Sequence, residues 1–89
     1  MPRKNYIFYT DPGHGWLAVE RAELQRLGIE DQISEFSYEQ GETVYLEEDC
    51  DASAFIQAKK DNGEEFLHEE QNTNEESPIR SYSSFRVAA

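Results

Sequence analysis

The chain has a single cysteine, Cys50, so no intramolecular disulfide can staple it and the framework of a small secreted protein is absent. It has no apolar run near the roughly 20 residues that span a bilayer as a helix. Its opening stretch, MPRKNYIFYT, carries two cations without the apolar region of a secretory signal. Cations are scarce: eight Lys and Arg stand against nineteen Asp and Glu. That balance repels nucleic acid and anionic membranes, and it leaves direct nucleic-acid binding without an electrostatic footprint. A phosphate-cradling glycine loop, a G-x-S-x-G elbow and a D-x-[DN]-x-[DN]-G calcium loop are all missing. No cofactor is implied. What these absences leave is a single cytoplasmic domain spanning residues 1–89.

What is present is aromatic and acidic. Eleven Phe, Tyr and Trp in 89 residues supply a core of about fifteen side chains. The net charge of −11 is uneven. Residues 1–29 are close to neutral, residues 30–76 hold sixteen acids against Lys59 and Lys60, and residues 77–89 hold Arg80 and Arg86 with no acid. An acidic middle of this kind attracts a basic partner, or keeps a small domain soluble.

The pattern predicts an α+β fold, a small antiparallel sheet of hairpin-connected strands with two short helices on one face. Asn5–Thr10 reads as a strand, Asp11-Pro12-Gly13 as a type II turn, and Trp16–Val19 as the second arm of a hairpin. Glu20–Leu27 has Leu24 and Leu27 at helical spacing, and Gly28-Ile29 ends it as a Schellman motif. Ile33–Tyr38 and Thr43–Leu46 are predicted strands around a four-residue loop, Glu39–Glu42. Asp51 is the expected cap of a helix over Ala52–Asn62 that turns Phe55 and Ile56 inward. Glu65–Glu69 reads as a strand and Gln71–Ser77 as a polar loop. Ile79–Val87 is an edge strand or an ordered tail, and as an edge it would offer unpaired backbone groups to a homodimer.

The candidate binding residues are Glu47, Glu48, Asp49, His14, Arg80 and Arg86. Glu47, Glu48, Asp49 and Asp51 crowd the corner before the second helix, around Cys50. The flanking acids oppose a reactive thiolate, so Cys50 reads as a buried, inert side chain under that helix. The same acids supply oxygen ligands for a hard cation, although the alternation stops after Asp49 and Asp51. His14, between two glycines, is placed to act as a base, a ligand or a polar loop tip. Trp16 beside it reads as core. Arg80 and Arg86, among Tyr82 and Phe85, are placed to hold an anionic group or this chain's own acidic face.

The motifs DPGHGW, LGI, SY..G..VYLEEDCD and SPIRSY span Tyr9 to Tyr82. On these residues the chain resembles a family of short, uncharacterised proteins of tailed phages and plasmids. The resemblance implies an origin on a mobile element and no defined activity. By analogy of origin, phage proteins of this size often inhibit host defence or transcription.

The expected function is that of a non-enzymatic inhibitor, with carboxylates covering a basic, nucleic-acid-binding surface of a host defence or regulatory protein. One alternative is a protein that binds or sequesters a small ligand or nucleotide between the DPGHGW turn and the two C-terminal arginines, at a subunit interface. The other is a small metal-dependent enzyme using His14 and the acidic corner.

Overall fold

The computed structural model of the chain describes residues 5–87, and the account that follows concerns those residues. Asn5–Thr10 (β1) and Gly15–Glu20 (β2) form the N-terminal hairpin, with Ile7 opposite Ala18 and Thr10 opposite Gly15. Gly13 does not adopt a positive φ, so the expected type II turn is not the one formed. The turn is built by Asp11 instead. Its carboxylate Oδ1 accepts the amides of Gly13 (3.0 Å) and His14 (2.9 Å), and its own amide donates to the His14 carbonyl (2.9 Å). An Asp bonding its own backbone in this way makes a turn without left-handed geometry.

Helix α1 (Arg21–Arg26) ends in the predicted Schellman motif. Gly28 takes φ 71°, the Ile29 amide donates to the Leu24 carbonyl and the Gly28 amide to that of Gln25. Ile29 and Leu24 are both buried, as the motif's apolar contact requires.

The next stretch departs from expectation. Ile33–Ser37 is not a strand; a short 3-10 turn (Glu30–Gln32) precedes it, and β3 covers only Tyr38–Gln40. The reason lies in Asp51, whose Oδ2 accepts the Ser34 amide (2.9 Å) and both the Ser34 (2.7 Å) and Ser37 (2.6 Å) hydroxyls. That pull folds the segment toward the second helix and away from the sheet. β3 then joins β4 (Thr43–Glu47) through a two-residue loop, Gly41-Glu42.

Helix α2 (Asp51–Asp61) carries the chain from β4 to the far side of the sheet, where Leu67–Asn72 (β5) pairs with β1. A helical crossover returns the chain to the end from which β4 started, so β5 must run parallel to β4, and hence to β1. The wholly antiparallel sheet expected from hairpins is therefore a mixed one, with order β5-β1-β2-β4-β3-β6. β5 also reaches two residues into the stretch predicted as loop. The predicted edge strand in Ile79–Val87 shrinks to β6, Ser83–Ser84, after a 3-10 turn at Pro78–Ser81.

Strand alternation divides the sheet into two faces. Tyr6, Leu17, Val19, Val44 and Leu46 point to one, where Leu24, Ala52 and Phe55 from the helices close the core. The other face carries Trp16, Tyr38 and Tyr45. Residues 73–82 cross it from the β5 edge toward β6: Thr73 bonds Thr10, Arg80 lies against Trp16, and Tyr82 packs on Tyr45. The chain then rounds the β3 edge and buries Phe85 in the helix-side core, with the Arg21 guanidinium over its ring. Arg21 is itself held by Glu30 (2.8 Å) and Glu39 (2.9 Å) and donates to the Arg86 carbonyl. Burial opposes its charge, yet the two carboxylates raise its pKa. Among the described residues, no helix is long and apolar enough to cross a membrane.

Candidate functional site

The DPGHGW turn is held from below by one carboxylate. The Asp11 side chain is fully buried and accepts five bonds. Besides the two turn amides these are the Ser77 amide (3.0 Å), Arg80 Nε (2.6 Å) and Arg80 Nη2 (2.9 Å). The Arg80 guanidinium comes first among the causes that hold the Asp11 carboxyl far below the ordinary carboxylate range, with burial opposing and the three amides assisting. The fork brings the C-terminal crossing segment onto the turn and lays Arg80 over Trp16, 5.5 Å from its ring.

Both glycines of the turn are needed for close approach. A Cβ on Gly13 would stand 2.9 Å from Arg80 Nη2. A Cβ on Gly15 would stand 2.6 Å from the Phe8 ring and 3.0 Å from Glu48 Oε2. Glu48 therefore lies across the start of β2, next to the turn.

These contacts shape a cleft of about 580 Å³ on the second face of the sheet. Its floor is Trp16, 3% exposed, with Tyr38 edge-on at 6.2 Å and the His14 ring at 6.0 Å. One wall is the Ser34–Tyr38 segment, from which Phe36 projects with 75% of its surface exposed. The other is the acidic corner, Glu47 to Cys50. Five of the six residues singled out from the sequence thus meet around one cavity: His14, Glu47, Glu48, Asp49 and Arg80. Arg86 does not join them. Its amide donates to Glu39 Oε1 at the β3 edge, and its side chain is exposed.

No family model, curated protein or solved structure matches this chain.

Within the corner the carboxylates have separate roles, and these differ from expectation at three positions. Asp51 is not the cap of α2, because its carboxylate is taken by Ser34 and Ser37. Glu47 does that work. Its Oε1 accepts the amides of Cys50 (2.6 Å) and Asp51 (3.0 Å), and its Oε2 accepts that of Asp49 (2.9 Å). Burial opposes ionisation of Glu47, but the three amides, with His14 nearby, hold its pKa below the usual value. Cys50 is exposed at the cleft wall and not buried beneath the helix. Glu48 and Asp49 are exposed, and neither side-chain carboxylate has a bonded partner among the described residues. Among those residues, no three His, Cys, Asp or Glu side chains come together as a metal-ligand set.

Sequence reasoning overlooked the aromatic wall. Phe36 stands in the polar run SEFSYEQ, and an isolated aromatic there was the available signal. From the sequence, Tyr38 reads as a strand residue of unspecified face and Asp11 only as a turn former.

Proposed function

We propose that this is a non-enzymatic binding protein whose acidic surface docks on a basic, nucleic-acid-binding surface of another protein and displaces the nucleic acid from it. The observation that carries the reading is where the cations go. Arg21, Arg26, Lys59 and Arg80 are each consumed by carboxylates of the same chain, through Glu30 and Glu39, Glu23 and Glu64, Glu64, and Asp11 respectively. Among the described cations only Lys60 and Arg86 lack such a pair. The outward field is therefore set by exposed acids without an ion pair among the described residues, among them Glu48, Asp49, Glu69, Glu70 and Glu75. A surface of one sign steers a partner of the other sign and mimics the charge of a phosphate backbone. By analogy of origin with phage proteins of this size, the partner we propose is a host protein of defence or regulation.

The cleft favours this reading over an anionic small ligand or nucleotide. Arg80 is already matched by Asp11, Arg86 lies elsewhere, and an anion would meet Glu48 and Asp49 instead. The test is affinity capture from host lysate at two salt concentrations, followed by competition of the captured partner with its nucleic acid. A partner that is basic, released by salt and unable to hold nucleic acid and this protein together supports the reading. A partner that binds nucleic acid and this protein at once defeats it.

A further inference from the structure

We infer that the cleft between the DPGHGW turn, the Phe36 wall and the acidic corner receives an arginine side chain of the basic partner. This rests on the docking reading above and names the group that the site takes. Three observations converge on it. First, the cavity is walled by aromatic rings, and one of them, Phe36, is 75% exposed, the highest exposure among the described large apolar side chains. An exposed ring beside a cavity is unspent contact area. Second, the floor is already built: Trp16 is buried and fixed between Arg80 and Tyr38. Third, the charges left uncommitted are negative. Arg80 is neutralised by Asp11 and Glu47 is bonded to three amides, whereas the Glu48 and Asp49 carboxylates have no bonded partner among the described residues.

The occupant that matches such a lining has an apolar stem and a cationic, planar head. The methylenes of an arginine lie against Phe36 and Tyr38, and its guanidinium reaches Glu48 and Asp49 at the rim. The guanidinium suits the site better than an ammonium, because it stacks on rings and presents a fork of donors to carboxylates. The cavity, at about 580 Å³, is larger than one side chain, so the segment bearing the arginine enters with it.

The test uses the full chain and four blocked tripeptides with arginine, lysine, citrulline or glutamate at the centre, followed by NMR at low salt. The chain's single tryptophan, Trp16, gives one indole signal on the cleft floor. The arginine probe is expected to move that signal and the Phe36 and Tyr38 ring signals saturably. Citrulline, which keeps the shape without the charge, should bind about tenfold more weakly, and lysine about threefold more weakly. Glu48→Gln with Asp49→Asn should weaken the arginine probe about tenfold, and Phe36→Ala severalfold, with thermal midpoints unchanged because all three side chains are exposed. Equal affinity for citrulline, shifts confined to residues outside the cleft, or no saturable shift by about 50 mM arginine probe overturns the inference. If the probe ignores the cleft while an intact basic protein is still captured in a salt-sensitive way, the inference falls and the docking reading stands. If the probe fills the cleft but no basic protein is captured, the reverse holds.

Discussion

Asp11 and Arg80 lie 69 positions apart in the chain and meet in a two-bond fork, Nε to Oδ2 at 2.6 Å and Nη2 to Oδ1 at 2.9 Å. The same carboxylate shapes the first hairpin turn and anchors the segment that crosses the second face. Local turn and long-range closure therefore depend on one ionised group. Loss of its charge should loosen the turn and the crossing segment together.

That dependence has a pH signature. The folded-state pKa of Asp11 is strongly depressed by Arg80, and that of Glu64 is held down to about 2, first by Arg26 and then by Asn62 and Lys59. Groups of this kind stabilise the fold fully above their unfolded pKa, and the contribution is lost as pH falls through that value toward the folded one. The thermal midpoint should therefore fall below about pH 4. Asp11→Asn should lower the midpoint at neutral pH and flatten this acid limb. An Asp11→Asn variant with the same acid slope as the parent would remove the fork from the account.

The acidic corner makes a prediction that separates neighbouring glutamates. Glu47→Gln weakens three bonds, two to the turn leading into α2 (Asp49 and Cys50) and one to its first residue, Asp51, so it should cost about 1 kcal/mol in denaturant unfolding, the usual worth of a cap. Glu48→Gln touches no bonded group and should stay within about 0.5 kcal/mol of the parent. Equal costs at the two positions would mean that Glu47 does not cap the helix.

Phe55 is fully buried where α2 meets the sheet, with Tyr6 edge-on at 5.4 Å. Phe55→Ala should cost about 3–5 kcal/mol, since little around it can collapse into the gap. A cost below about 1 kcal/mol would place that helix face in solvent.

What the sequence makes legible is local. The aromatic, β-branched run Asn5–Thr10, the Gly28-Ile29 ending of α1 and the inward Phe55 follow from propensity and spacing over a few residues, and the structure has them. What it conceals depends on partners far along the chain. Ile33–Ser37 has the look of a strand until Asp51, 17 positions after Ser34, takes its hydroxyls and amide. Leu67–Asn72 is exposed on both faces, so no apolar alternation marks it, and its parallel pairing with β1 follows only from the crossover through α2. The acids of the corner were visible as a cluster. Their division into a cap, a serine clamp and two free carboxylates was not, because it depends on which amides and hydroxyls the fold brings within reach. The cleft itself needed the closure of Arg80 onto Asp11.

That division decides how the docking reading is to be tested by charge reversal. Glu47 and Asp51 are unsuitable, since changing either disturbs the fold before it alters the surface. Glu48 and Asp49 are exposed and unbonded through their carboxylates, so Glu48→Lys with Asp49→Lys should leave the unfolding free energy within about 1 kcal/mol of the parent. The pair changes the local charge by four units at the mouth of the cleft. Association with a basic partner should slow by about tenfold or more at low salt, while dissociation changes less, because rim charges act mainly on encounter. The difference between parent and variant should shrink as salt rises, since exposed charges are screened beyond about 8 Å at physiological ionic strength. Stopped-flow or surface-binding kinetics across a salt series reads both effects. A folded double variant that associates as fast as the parent at low salt would confine these carboxylates to keeping the domain soluble.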